Sequence, residues 1–322
     1  MIRGRSALAV VAALLLACHG EDTPSPTPSA DAEILDGTSL ARALTLQLVA
    51  EKKLSKLLPT KDVDHYEASG IVASAGMLYV ASDNLTRIAA IDTSLNKGKL
   101  GPGEFVDSQY EAITASDDGR FFVMVESASD AQGRAEVAEL GSDTAFVEQR
   151  ATDATFEHAN KGFEGAAWLT ASGKEYLLAL CENNNCKDDD SPPGEGRAQL
   201  LTLVDGVWTR ELTLKLPEPA AFLDYSDLAL RNNGDGTYAA AVVSHKSSAL
   251  WLGTLSTSSW AFIGANTFYT FPRTAEGAVR YCSVEGVTFL GPSVLAVVSD
   301  KSDNSEPCVD EEESIHIFQM PH

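Results

Sequence analysis

The chain has 322 residues, 46 of them acidic and 24 basic, for a net charge of −22. A surface this acidic repels nucleic acid and anionic lipid and attracts cations. At 44% hydrophobic residues there is material for a large core, and the length is long for one ordinary core but normal for a barrel or propeller counted as a single domain.

Arg3 and Arg5 precede an apolar run from Ala7 to Ala17, the charged start and short apolar stretch of an export signal. The run is too short to span a bilayer. It ends in Leu15-Leu16-Ala17-Cys18, which resembles the lipobox of bacterial lipoproteins. That resemblance implies cleavage before Cys18 and a diacylglycerol on its thiol. The expected organisation is a signal peptide over 1–17, a lipid-anchored disordered linker over 18–36 and one domain over 37–322. The linker follows from GEDTPSPTPSADA, Gly20 to Ala32, which cannot bury enough apolar surface to fold. Acyl chains contribute roughly 0.8 kcal/mol per buried methylene, enough to hold a protein at a membrane without a spanning helix. The expected location is the cell envelope, at the outer membrane or cell surface. Without Arg3 and Arg5, 22 basic residues face 46 acidic ones, a mature balance of −24.

The next stretch, Thr38 to Leu58, fits helix and strand templates in different places. After it, five segments share one pattern, an apolar or aromatic residue, an acid or serine, a small residue and a short apolar strand. They begin at Tyr66 (YEASGIVA), Tyr110 (YEAITAS), Phe163 (FEGAAWL), Tyr225 (YSDLALR) and Val284 (VEGVTFL). Each leads through a Gly, Asn or Asp turn, such as SAG at Ser74 or ASG at Ala171, into a second strand. These second strands, among them LYVASDN, FFVMVES and VLAVVSDKS, suit a sheet buried on both faces. Third strands follow, from RIAAID at Arg87 to SIHIFQM at Ser314. Radial repetition of such units predicts an all-β fold, a β-propeller with five blades, or six if Leu44–Leu58 forms more than a closing strand. A sandwich does not need the same opening five times.

With Cys18 lipidated, four cysteines remain, and three pairings are possible. Spacing favours Cys181 with Cys186 and Cys282 with Cys308. The absence of C-x-x-C and of clustered histidines argues against a metal–thiolate site.

In a propeller the first strands line a central channel, and the loops entering them open on the same face as the loops leaving the second strands. Glu67, Glu111, Glu164, Asp227 and Glu285, with the second-strand ends Asp83, Glu126, Glu182, His245 and Asp300, are therefore expected around one mouth. Carboxylates so gathered resist joint ionisation unless a cation or proton intervenes. Oxygen-only ligands suit calcium, and the expected metal set is Glu111, Glu126, Glu164, Glu182, Glu285 and Asp300. Nucleophilic catalysis finds little: there is no G-x-S-x-G, and Ser226, Asp227 and His245 make an arbitrary triad. His245 is the weak catalytic candidate, as a base near neutral pH. Trp168, Trp208, Trp251 and Trp260 read as core.

These motifs resemble the SdiA-regulated (YjiK-like) family of bacterial envelope proteins, within the wider phytase-like propeller group. That family's units open with SG, ET, EG, SG and EG, where this chain has Ser69-Gly70, Glu111-Ala112, Glu164-Gly165, Ser226-Asp227 and Glu285-Gly286. VSHKSSAL from Val243 is the most specific match. The resemblance implies a propeller whose channel-mouth carboxylates hold calcium. Asp227 departs from it, standing where the family has glycine. The expected function is a calcium-dependent ligand- or protein-binding module, with a calcium-dependent hydrolase of phosphoesterase or lactonase type as the alternative. The expected partner is a small molecule or an envelope component, the expected membrane contact is the lipid anchor alone, and the protein is expected to be a monomer.

Overall fold

A computed structural model describes residues 43–58, 63–102, 109–126, 133–156, 162–186, 192–218, 220–301 and 311–321. The export segment, Cys18, the linker, the start of the folded domain expected from residue 37 and Cys308 lie outside the described residues.

Five four-stranded units follow one another. The first comprises β3 (Ala68–Ser74), β4 (Met77–Ser82), β5 (Ala89–Asp92) and β6 (Gly98–Leu100). The second comprises β7 (Tyr110–Ala115), β8 (Phe121–Val125), β9 (Arg134–Leu140) and β10 (Phe146–Thr155). The third runs through β11 (Phe163–Ala171), β12 (Lys174–Cys181), β13 (Arg197–Val204) and β14 (Val207–Lys215). The fourth runs through β15 (Asp227–Asn232), β16 (Thr237–Ser244), β17 (Ala249–Ser256) and β18 (Ala261–Thr270). In the fifth, β19 (Val284–Phe289), β20 (Val294–Ser299) and β21 (Ser314–Gln319) take their outermost strand from the start of the domain, β2 (Gln47–Lys53).

The stretch that fitted two templates thus divides into β1 (Leu44–Thr45), β2 and the one-turn helix α1 (Leu54–Leu57). β2 becomes a strand because the open edge of β21 supplies its hydrogen-bond partners, with Glu51 opposite His316. β1 lies parallel to β18, and a single parallel bridge, Thr152 to Trp208, joins the outer strands β10 and β14.

The first strands touch in closed order, β3 to β7 to β11 to β15 to β19 and back to β3. Each seam between neighbouring units holds its own hydrophobic cluster. Leu178, Tyr225 and Trp251 fill the seam between the third and fourth units, and Leu78, Ile91 and Ile315 fill the seam between the first and fifth. Second strands are packed on both faces, so β8 is buried at every position, whereas outer strands such as β10 alternate toward solvent. The hairpins β3–β4 and β11–β12 turn on Ala75-Gly76 and Ser172-Gly173, both residues of each pair at positive φ, as a two-residue turn requires.

Candidate functional site

Four of the five first strands begin with a register shift. Pairing skips one residue between Ala68 and Gly70, Tyr110 and Ala112, Phe163 and Gly165, and Val284 and Gly286. A bulge of this kind re-aims the skipped side chain. The skipped residues are Ser69, Glu111, Glu164 and Glu285, and in the fourth unit Ser226, whose N–H donates to the Val243 carbonyl, stands just ahead of β15. The second-strand ends fall one position beyond β4, β8, β12, β16 and β20, at Asp83, Glu126, Glu182, His245 and Asp300.

These two sets meet. A cavity of about 200 Å³ is lined by Glu67, Asp83, Glu111, Glu164, Glu182, Asp224, Glu285 and Asp300, with Ser69, Ser226 and His245. Glu126 is buried behind this wall, close enough to act electrostatically on Glu111 and Glu164. Glu67 reaches the cavity from outside the strand register, in contact with His65 at 2.5 Å, and Ser69 occupies the position equivalent to Glu111.

Asp227 departs from the expected ring. It is buried below the mouth, accepting N–H bonds from Leu228 at 2.7 Å, Val287 at 2.8 Å and Ala166, so one carboxylate ties together the first strands of the third, fourth and fifth units. In other units this position must be small: a Cβ on Gly165 would lie 2.7 Å from the Leu228 nitrogen, and one on Gly286 would lie 2.8 Å from that of Ile71. Asp227 is accommodated because its side chain satisfies backbone donors instead of colliding with them.

The acid beside His245 is Asp224, which the sequence reading did not single out. Its Oδ2 lies 3.0 Å from His245 Nδ1, and its Oδ1 accepts from the Ser244 hydroxyl and the Lys246 N–H. Glu285 Oε1 is 3.1 Å from the same ring nitrogen and Ser226 Oγ is 3.3 Å from it. A catalytic triad needs its acid and its nucleophile on opposite ring nitrogens, so these contacts do not make one. Burial disfavours the imidazolium, but hydrogen bonds to Asp224 and Glu285 override it and raise the His245 pKa to about 10. Near neutral pH it is therefore a fixed cation, and a protonated imidazole is not a base.

The remaining acids are pushed the other way. Burial, reinforced by Glu126 and Asp83, pushes Glu111 up to about 8 although it hydrogen-bonds Glu164. Burial and the Glu111, Glu182 and Glu285 carboxylates hold Glu164 well above the usual range. Asp300 is pushed up to about 7, chiefly by burial, and Asp83 is raised by burial and by Glu67. Burial likewise raises Asp227.

Cys181 and Cys186 form a disulfide that closes the loop leaving β12, as their spacing predicted. Cys282 is disulfide-bonded, and its expected partner, Cys308, lies outside the described residues. No described helix is long and apolar enough to cross a membrane.

No protein-family model matches the chain, and no curated protein matches it. Solved structures do. Myxococcus xanthus glutaminyl cyclase aligns at a TM-score of 0.52 and 9% identity, over 86% of this chain and 98% of that one. The PQQ-bound aldose sugar dehydrogenase of Streptomyces coelicolor aligns at 0.46 and 11% identity, over 84% and 98%, and the Dos1 propeller at 0.42 and 11%, over 87% and 68%. At such identities the likeness concerns the fold alone; the closed ring of first strands, each opening a four-stranded unit, makes this chain a β-propeller.

Proposed function

We propose that the chain is an extracytoplasmic, lipid-anchored propeller that binds its ligand through calcium held at the acidic mouth. The observation that carries this reading is eight carboxylates around about 200 Å³ with one imidazolium among them. Like charges so placed stay protonated or recruit a cation, and the extracytoplasmic space supplies calcium. Glu111, Glu164, Glu182, Glu285 and Asp300 would hold the ion, with Glu126 behind them. These acids are spread around the wall, which suits calcium's loose shell of six to eight oxygens better than a compact tetrahedron.

Arg3, Arg5, the apolar run and the lipobox-like Cys18 support an anchor at the outer membrane or cell surface, ahead of one domain over 37–322. The resemblance to the SdiA-regulated family supports the same class, since VSHKSSAL contributes Ser244 and His245, the two side chains that hold Asp224. The partner is a small molecule or envelope component that completes the calcium shell, bound by a monomer, and the mature charge of −24 keeps nucleic acid away.

One observation favours a second reading. Glu111 and Glu164 hydrogen-bond each other, which pairs a protonated with an ionised carboxyl. Beside a bound ion such a pair is the acid–base equipment of a calcium-dependent hydrolase acting on a phosphoester or lactone.

Purified, chelator-treated protein should gain thermal stability on adding calcium, about 2.7 kcal/mol once the ion is a hundredfold above its dissociation constant. Glu164→Gln and Glu285→Ala should each weaken the gain, and Glu312→Ala, outside the mouth, should not. No gain at millimolar calcium ends the calcium reading. Turnover of a phosphoester or lactone panel that EDTA abolishes would favour the hydrolase over the binding module.

A further inference from the structure

Among the described residues, one place gathers metal-ligand atoms tightly, and it is not the mouth. Glu51, Glu311 and His316 each bring one such atom within 4.8 Å of the other two. They come from opposite ends of the chain: Glu51 lies on β2, His316 faces it in register on β21, and Glu311 stands just before β21.

His316 is fully buried. Its Nε2 is 3.2 Å from both the Glu311 carbonyl and the Ser299 hydroxyl; the carbonyl only accepts and the hydroxyl can accept, so both contacts are met when this nitrogen carries the hydrogen. The lone pair of the neutral ring then sits on Nδ1. That atom has no hydrogen-bond partner, although Glu51 Oε2 is 3.4 Å away. A lone pair facing a carboxylate oxygen is an acceptor against an acceptor.

A second buried polar atom at the same place also lacks a close partner. The Tyr281 hydroxyl has no partner at close hydrogen-bond distance and only a weak interaction with the Glu51 carboxylate, while its ring stands edge-on to His316 at 5.0 Å. Arg280 completes the surroundings: its Nε donates to Glu311 Oε1 at 2.5 Å, and its Nη2 lies 3.8 Å from Glu51 Oε1. Both Arg280 contacts to Glu311 fall on Oε1 and fix the orientation of this carboxylate, the role an outer partner plays around a metal-bound carboxylate.

We propose that Glu51, Glu311 and His316 bind a first-row divalent metal of the zinc class, which fastens the outermost strand of the fifth unit, β2, to β21. One imidazole nitrogen and two carboxylate oxygens are ligands zinc accepts, with a fourth position reached from solvent along the partly exposed Glu51. The metal replaces the acceptor–acceptor contact by two bonds to a cation, and the Tyr281 hydroxyl becomes a donor to a bound carboxylate. The competing state is a proton on Nδ1, giving an imidazolium paired with Glu51.

Full-length protein is stripped with chelator, dialysed against zinc alone at neutral pH, and read for metal content and melting temperature. The expected result is a single zinc per chain and a raised melting temperature. Glu51→Gln, a partly exposed position on an outer strand, keeps the fold and loses at least tenfold in zinc affinity, with the melting shift reduced to match. Asp117→Asn, on the exposed turn between β7 and β8 and away from both acidic clusters, keeps both. Cobalt in place of zinc gives the visible absorption of a low-coordinate site, absent from Glu51→Gln. His316→Gln is a supporting variant only, because so buried a substitution can unfold the chain. Absence of bound zinc, or equal binding and equal shift in Glu51→Gln, overturns the proposal in favour of the imidazolium.

Discussion

The two ends of the channel are made by the same five first strands and differ in chemistry. At the mouth, eight carboxylates and one imidazole line about 200 Å³. At the far end, about 240 Å³ is bounded by later residues of the same strands, from Ile71, Ile113, Ala166, Leu228 and Val287 onward, with no carboxylate among the described lining and one guanidinium, Arg231, over the Phe289 ring. Position along the strand makes the difference. Residues skipped by the opening bulges turn toward the mouth, while the paired residues after them pack against neighbouring strands. Between the ends the backbones come within a methyl group of contact, and Asp227 bridges three of them. The arrangement concentrates charge at one rim and closes the floor beneath it.

The floor offers the largest way to break this contrast. Asp227→Asn keeps the shape but turns one acceptor into a donor facing a backbone N–H, leaving buried donors without partners. The expected loss is about 3 kcal/mol in urea denaturation, since each buried unsatisfied group costs about 1–3 kcal/mol. A loss below a few tenths would mean that the three N–H bonds do not hold the units together.

His245→Gln should cost less, about 2 kcal/mol, because removing one partner strands the buried Asp224 charge, discounted for the solvent beside the imidazole. The pH dependence has a definite sign. A histidine raised to about 10 contributes fully below its unfolded value near 6.5, and the contribution fades as pH climbs through 10. Asp224, held low mainly by His245 against its burial, stays ionised throughout that window. The gap between wild type and His245→Gln should therefore narrow from pH 6 to pH 10, and a constant gap would mean that His245 acts by packing alone.

Much of this was legible in the sequence for a physical reason. Each unit needs a polar residue at the rim, a small residue where strands nearly touch, and then an apolar run, so the opening motif repeats wherever the geometry does. The Ala75-Gly76 and Ser172-Gly173 turns were visible because they need positive φ. What failed was register by a residue or two. A bulge adds a residue without changing composition, so Glu67 read as a unit start where Ser69 occupies that place, and Asp227 read as a rim acid where Ser226 does. Asp224 stayed hidden because its role depends on His245, brought beside it by strand pairing. Glu51, Glu311 and His316 could not be read at all: no local pattern announces that the ends of the chain will pair. The helix–strand ambiguity before Leu58 has the same origin, since β21 decides it from outside.

The smallest effect tests whether the mouth's charge is local. In chelated protein, Glu111 at about 8 and Asp300 at about 7 bind protons that the unfolded chain releases near its ordinary values of 4.5 and 3.8. The folded state thus holds more protons across that window, so stability falls as pH rises through it and levels off above about 8. Glu164→Gln removes an ionisable neighbour from this set and should shrink the fall between pH 5 and pH 8 by about 1 kcal/mol, the size of a single-unit shift. Arg231→Gln, at the far end, should alter the fall by less than about 0.5 kcal/mol. Calcium should restore stability at pH 8 in wild type and Arg231→Gln but less in Glu164→Gln. A comparable change in slope from both substitutions would mean that the whole molecule's field sets the titration, and the chemical distinction between the two ends would carry no energetic weight.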